Sequence, residues 1–529
     1  MVGISSAGMK QKARNSERLL FAVVSIFAVA AAVADGRDAV VAPAITLGGW
    51  RGETVSFRFN PVSVTGGTYV PQWKGVPGGW DAKAGVLRGV RYVTKTHGTE
   101  YGFLPDRVEW NGATNLPPGG SCVAVGSISI PRDARAGEYS FAFAGHEVKL
   151  RVTDRVLPPP QEWKMRPRAF WHHPWALARV TRTIPWSKEH FEAMRPFLAY
   201  TAAFGHRTIM CTMSDLPWNH QCYDPNWTMI RHIRHGGTGK WSFDYSIFDK
   251  WVAFNREMGI GPDIDLYSLC PWDYEVTYED ESGRPTRIRP KPGSKEFVDY
   301  WEPFLVDLHR HLEEKGWLGD AQLYFDERSP EDVRACVDLI RRVVPDMRVG
   351  ASGNKAPELF DGVQLGVFVQ LLDYADDAFF RKAREMKKLG RRTYVCVCCL
   401  PKTPNTFIYS DPDDGFWLGV FPAAKGIDGL SRWTFDSFPE NAMEDASYAS
   451  WPSGETFLVY PDASPSWRYL QLLNGYQNGE KWRMLADAGG PVAAELERLA
   501  VRYDVQQALH KKDGDFKGLI ADTLEVLNR

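Results

Sequence analysis

The chain lacks a dominant charge. Its 63 Lys and Arg residues balance 65 Asp and Glu, leaving a formal charge of -2 over 529 residues, so it has no basic excess of the kind a nucleic-acid footprint needs. A neutral substrate suits such a chain. Eight cysteines are present but no paired C-x-x-C set, which argues against structural zinc. His232 and His235 stand at i, i+3 with no H-E-x-x-H motif around them, so a metal site is not expected. Phosphate-cradling P-loops, Gly-rich dinucleotide fingerprints and G-x-S-x-G elbows are also missing, and no cofactor is called for.

Long hydrophobic runs are scarce too. The one candidate, Leu19 to Ala34, follows Lys10, Lys12, Arg14 and Arg18 and closes on the small-residue site Ala32-Val33-Ala34. This reads as a secretory signal peptide over residues 1–34, with the mature chain secreted, periplasmic or at the cell surface. An uncleaved anchor is the alternative, but the run is short for a span and no second one follows. No cysteine follows it to take a lipid. Export would permit disulfides, yet Cys396 and Cys398 lie on the apolar run Tyr394 to Leu400, where buried free thiols are expected.

What remains is a folded, two- or three-domain composition, 44% hydrophobic and 24% charged. Residues 40–155 are rich in Gly and Pro and carry short β-type runs. Among them Val148-Lys149-Leu150-Arg151-Val152 alternates as a half-buried strand should, so a β-sandwich domain is expected. Leu157-Pro158-Pro159-Pro160 is a stiff linker. From 165 to 440 strand-like runs alternate with helix-like ones: Arg168 to His172, Arg207 to Met213, Pro262 to Ser268, Ala321 to Phe325, Met347 to Ala351, Val363 to Gln370, Arg392 to Cys399 and Gly429 to Phe435. That succession predicts a (β/α)8 TIM-type barrel. A C-terminal extension over 441–529 would hold one more strand, Phe457 to Pro461, and a helical tail.

The fourth run carries the chemistry. Gln322-Leu323-Tyr324-Phe325 ends on Asp326-Glu327 and turns at once into a helix that Ser329 caps, Pro330 opens and Asp332 would complete as a capping box. Neighbouring strand residues face opposite ways, so two consecutive acids share a cleft only where the strand is ending. In a barrel that end is the mouth, where active sites gather. A helix-start acid cluster favoured by the dipole is the plainer reading of the same dipeptide. Asp280-Glu281, in a polar turn-rich run with no strand before it, reads as solvated loop.

Among 20 tryptophans, Trp171, Trp175, Trp218, Trp272 and Trp433 fall at strand ends or in the loops that follow. A rim of indoles suits the apolar C–H faces of a sugar, and Trp272 and Trp433 are the preferred platforms over simple packing. His172 and His173, ending the first run, are candidate partners for sugar hydroxyls, and Tyr394 on the seventh run is a further candidate contact. Asp263 and Asp265 are the rival carboxylates.

Residues from about 165 to 485 resemble the catalytic region of family 123 glycoside hydrolases, the β-N-acetylgalactosaminidases. The likeness rests on Leu323-Tyr324-Phe325-Asp326-Glu327, on Gly426-Ile427-Asp428-Gly429-Leu430-Ser431-Arg432-Trp433-Thr434-Phe435, and on Gly454-Glu455-Thr456-Phe457-Leu458-Val459-Tyr460-Pro461 with Pro465-Ser466-Trp467-Arg468. Two departures are Arg328, where the family has Pro, and a loose Gly475-Tyr476-Gln477-Asn478-Gly479-Glu480-Lys481-Trp482. The resemblance implies exo-acting removal of terminal β-N-acetylgalactosamine from glycans or glycolipids by a retaining, substrate-assisted route. Glu327 would be general acid, and Asp326 would hold the 2-acetamido group that attacks the anomeric carbon. The implied partner is a carbohydrate ending in a β-linked N-acetylhexosamine. Two alternatives stay open: a barrel glycosidase using Glu327 with Asp265 or another protein carboxylate, and a secreted carbohydrate-binding protein without turnover.

Overall fold

The computed structural model describes residues 44–529 except 61–64, 96–97, 169, 354–364 and 450. The expected leader lies outside the described residues. The N-terminal part holds two four-stranded sheets and a short two-stranded one. In the strand His146–Val156, Val148, Leu150 and Val152 are buried while Lys149 and Arg151 are exposed. The buried set meets Phe59, Ile128, Phe141 and Phe143 in a core of its own, the outcome that period-two alternation dictates.

The barrel follows. Seven parallel strands stand side by side in chain order: Thr208–Thr212, Asp263–Tyr267, Ala321–Phe325, Arg348–Gly353, Val367–Leu371, Arg392–Cys396 and Gly429–Ser431. Five of them, the first three, Val367–Leu371 and Gly429–Ser431, are buried at every residue, as strands covered on both faces must be. The expected first strand is not regular. Arg168 and Trp171 make only isolated parallel bridges to Ser431 and Thr434, because Pro167 has no N–H and the Phe170 N–H goes to the His206 ring at 3.3 Å. Arg207 N–H reaches the Pro167 carbonyl at 3.4 Å, so this segment lies between the last strand and Thr208–Thr212 and closes the ring.

Helices cover the outside. Lys295–Glu314 is capped by Ser294, runs through Pro303 and buries Phe297, Trp301, Phe304, Leu305, Leu308 and Leu312. Removing one such side chain, as in Leu308→Ala, is expected to cost about 2–5 kcal/mol. Trp467–Ala488 stands after the last strand and packs along Pro412–Lys425 so tightly that a Cβ on Gly419 would sit 2.5 Å from Gly475. The strand–helix alternation therefore runs on past residue 440. Gln477 on this helix exchanges two hydrogen bonds of 2.8 Å with the backbone of Thr54, pairing the open edge of a sandwich sheet, while Lys481 meets Glu53 at 2.8 Å. In this loosely matching segment the glycines seat the helix on Pro412–Lys425, and Gln477 and Lys481 join it to the sandwich.

Two expectations need correction. Phe457 to Pro461 is not a regular strand: the Leu458 N–H bonds Phe435 and the Tyr460 N–H bonds Ser464, leaving only isolated bridges. Asp280-Glu281 does lie in a turn, but a strand precedes it: residues 280–284 link Val276–Glu279 to Pro285–Ile288 in a hairpin, part of a small sheet beside the barrel. No helix among the described residues is long and apolar enough to cross a membrane. All eight cysteines are free, with Cys396 and Cys398 partly buried.

Candidate active site

Counting the irregular Arg168–Trp171 segment as strand one, Asp263–Tyr267 is strand three, Ala321–Phe325 strand four, Arg392–Cys396 strand seven and Gly429–Ser431 strand eight, and alternation along strand four places Gln322, Tyr324 and Asp326 on one face. That face is the barrel interior: Gln322 donates to Asp265 at 2.5 Å, and Arg168 lies 4.8 Å from the ring of Tyr324. Asp326 is the next inward position, just beyond the last paired residue, and Glu327 follows where the strand has ended. Ser329 then accepts from the Asp332 N–H at 3.1 Å and starts the helix Pro330–Val343. The capping box stays half made. Asp332 turns its carboxylate to the Tyr274 hydroxyl at 2.9 Å and to Arg328 at 3.7 Å. Arg328 also donates to the Trp272 carbonyl at 3.1 Å and lies 4.9 Å from the Tyr274 ring. The residue that departs from the family pattern fastens the loop after strand three to the turn that carries Asp326 and Glu327.

Trp272 is the central contact on that loop. Its Nε1 donates to Asp326 Oδ2 at 2.7 Å. Burial raises the Asp326 carboxyl, while the Trp272 N–H, the Glu327 backbone N–H and Arg328 work against the rise. Glu327 has no such donors among the described residues. Burial first, and the Asp326 charge second, push it up to about 7. Both acids are thus raised by burial, and donors oppose the rise at Asp326, the kind of unequal environment that separates paired carboxylates.

The aromatic set divides between floor and rim. Trp171, Trp218, Tyr267 and Tyr324 pack in succession as tilted ring pairs, 4.8, 4.9 and 4.9 Å apart, and are buried. Trp272 and Trp433 pack on that cluster and remain partly exposed. Tyr394 is 1% exposed, with Arg168 5.5 Å from its ring, so it belongs to the interior layer beneath Asp326 rather than to the rim. Trp175 also packs on the cluster and lies 5.5 Å from the Trp186 ring.

His172 and His173 are corrected to structural roles. His172 Nδ1 pairs with Asp436 at 2.5 Å and its Nε2 with Thr201 at 2.7 Å. His173 caps the helix Pro174–Thr181 through Nδ1 and bonds the Asp224 carbonyl through Nε2 at 3.1 Å; burial holds its pKa down to about 3. With every ring nitrogen engaged and both residues buried, neither is free for a sugar. The rival acids are engaged as well. Asp265 is ion-paired with Arg168 and bonded to Gln322, and Asp263, at the far end of its strand, meets Arg166 at 3.1 Å and Arg392 at 2.5 Å. His232 stacks on Tyr300 and Phe304 at 5.3 and 4.5 Å, whereas His235 reaches Ser242 at 2.8 Å. Among the described residues no group of three or more metal-ligating side chains converges.

A further acid beside this set, Glu455, has no counterpart among the residues that the sequence singles out as a site. Glu455 is 0% exposed, its Oε1 accepts from Trp433 Nε1, and burial pushes it up to about 7. The charges of Glu327, Glu455 and Asp326 all bear on Cys396 at the end of strand seven. The signal for it was an acid set in an otherwise apolar run, 22 residues beyond Trp433.

The catalytic-domain model of glycoside hydrolase 123 matches residues 171–485. No curated protein matches the sequence. A family 123 glycoside hydrolase from Clostridium perfringens, whose structural analysis concerned glycolipid glycan hydrolysis, is 24% identical and superposes with a TM-score of 0.78 over 91% of this chain and 92% of its own. That likeness extends the shared fold across the sandwich as well as the barrel. A GH53 catalytic domain from Ignisphaera aggregans is 12% identical over 61% of this chain and 99% of its own, with a TM-score of only 0.35.

Proposed function

Because the chain belongs to glycoside hydrolase family 123, a family of β-N-acetylgalactosaminidases, we propose that it removes terminal β-linked N-acetylgalactosamine, with Asp326 and Glu327 as its catalytic acids. The observation that carries this reading is the inequality of that pair. Glu327 holds its proton to about pH 7, close to the working range an acid catalyst needs. Asp326 is steadied by the Trp272 N–H.

In the first step Glu327 gives its proton to the glycosidic oxygen. The carbonyl oxygen of the substrate's own 2-acetamido group attacks the anomeric carbon as the bond to the departing oxygen breaks, and the rest of the glycan leaves as an alcohol. Asp326 accepts the amide N–H and balances the positive charge on the resulting oxazoline-type ring. Glu327, now a carboxylate, takes a proton from water as that water attacks the anomeric carbon and reopens the ring. Two inversions give net retention. An internal nucleophile reaches effective molarities on the order of 10⁵ M or more, so no third carboxylate is required. The engagement of Asp265 and Asp263 by arginines favours this route over one with a second protein nucleophile.

Glycolipid glycans are a natural substrate class to propose, following the Clostridium perfringens relative, and export by the 1–34 leader would bring the enzyme to them. The test is a panel of aryl β-glycosides, N-acetylgalactosaminide, N-acetylglucosaminide and galactoside, with a thiazoline mimic of the oxazoline as inhibitor. Cleavage of the first alone and inhibition by the thiazoline are expected. Cleavage of the plain galactoside, or indifference to the thiazoline, would transfer the nucleophile to a protein carboxylate.

A further inference from the structure

The two partly exposed indoles at the mouth are held in the same manner. Trp272 gives its N–H to Asp326, from the loop after strand three. Trp433, after strand eight, gives its N–H to Glu455. The first acid is already in the proposed mechanism; the second has no part in it. Glu455 and Glu327 nevertheless border one patch, since the charges of both bear on Cys396 and on Cys399.

The backbone that presents Glu455 is fixed from two sides. Arg432, fully buried beside Trp433 in sequence, donates to the carbonyls of Gly454, at 3.2 Å, and Glu455. Its other amino group reaches Asn405 Oδ1 at 3.4 Å. Gly454 has φ +85°, and a Cβ there would sit 2.9 Å from Arg468 Nη1, so only glycine suits the position. Arg468 in turn bonds the carbonyls of Gly454 at 3.0 Å and Phe457 at 2.9 Å and the Asp106 carboxylate of the sandwich. Two arginines and a glycine thus determine where the Glu455 side chain starts, and its Oε1 determines where the Trp433 indole stops. Oε2 has no hydrogen-bond partner among the described residues. A buried acid kept half satisfied asks for a reason beyond packing.

We infer that Glu455 is a positioning residue, locking the plane of Trp433 so that the indole presents a fixed face to the apolar C–H side of the bound sugar. The inference rests on the proposed function, which puts a sugar ring at this mouth. Glu455 itself has no exposure to reach the anomeric carbon. Its effect passes through the indole, and a misplaced stacking surface loosens substrate binding at least as much as it slows the chemistry.

The test compares wild type, Glu455→Gln, Glu455→Leu, Trp433→Phe and the Leu/Phe double variant on whichever aryl glycoside of the panel the wild type cleaves best. Glu455→Gln keeps a carbonyl acceptor for the indole and is expected to stay within about threefold of wild-type KM. Glu455→Leu removes it and is expected to raise KM about tenfold or more. In the Trp433→Phe background, which already lacks the N–H, Glu455→Leu should add little, because the two changes break one interaction. A Glu455→Leu enzyme with wild-type KM overturns the inference, as does full additivity of the pair or a loss confined to melting temperature and active fraction. Cleavage of the plain galactoside would overturn substrate assistance and leave the Glu455 comparison readable on that substrate. A wild type that cleaves none of the three overturns both.

Discussion

The chain contains the dipeptide Asp-Glu at 280–281 and again at 326–327, and the two pairs behave oppositely. Asp280 sits in a hairpin turn, where its Oδ1 accepts from the Ser282 hydroxyl at 2.6 Å, the Ser282 N–H at 2.9 Å and the Arg284 N–H at 3.0 Å. These bonds, the Ser282 hydroxyl foremost, hold it well below the usual carboxylate range. Glu281 beside it is exposed and points to His235 at 3.3 Å. At the barrel mouth the same two residue types are partly buried, Asp326 keeps a single side-chain donor, and Glu327 climbs to about 7. Composition is identical; water and donors decide. An acid surrounded by donors and solvent becomes a permanent anion, whereas one stripped of both beside another anion becomes a proton reservoir.

The contrast can be broken most severely at Asp326. Asp326→Asn should reduce kcat/KM about 10³-fold or more on every substrate, because the amide loses its charged partner and the intramolecular advantage goes with it; near-normal turnover would remove Asp326 from the mechanism. Glu327→Gln should cost about 10²- to 10⁴-fold where the leaving group needs a proton, and much less on an activated aryl glycoside. Equal losses on both would speak against an acid role. Trp272→Phe removes one hydrogen bond to a charged oxygen, a change of about 1.5–3 kcal/mol, hence about 10- to 100-fold in kcat/KM. It should also raise the Asp326 pKa, moving the acid limb of the pH profile upward.

Stability gives a subtler separation. A carboxyl whose folded pKa is raised loses stability as pH climbs from its unfolded value through the folded one, here about 4.5 to about 7. Glu327→Gln should therefore be more stable than wild type at pH 8, by on the order of 2 kcal/mol in denaturant unfolding. Asp280 has the opposite sign: its contribution is present above the unfolded pKa and lost as pH falls through the lowered folded one. Asp280→Asn should leave kcat/KM within about twofold of wild type and slightly flatten the loss of stability in acid. A Glu327→Gln variant that destabilised the protein at pH 8 would show that the mouth pair behaves like the hairpin pair.

Much of this contrast was legible in the sequence because it is local. The run Ala321 to Phe325, the cap Ser329-Pro330 and the helix behind them occupy one continuous stretch, and the structure realises them residue for residue. Trp272 and Trp433 could be singled out by their places after strands three and eight. The misreadings are long-range. Nothing near His172 announces Asp436, 264 residues away, as its partner, and the depth of Tyr394 depends on Arg168 lying over its ring. Glu455 stood in plain view in a motif, but its role depends on Trp433 turning toward it. The helix Trp467–Ala488 is buried on nearly every side, and all-round burial erases the amphipathic stripe by which a sequence places a helix on a barrel.

The account turns on where the proton of the mouth pair resides, and a carboxyl-carbon NMR titration of Glu327, assigned by comparison with Glu327→Gln, measures it. A midpoint near 7 that falls toward the ordinary glutamate range in Asp326→Asn is the expected result. A midpoint already near 4.5 in the wild type would contradict it, for Glu327 would then be an anion at neutral pH with no proton to give.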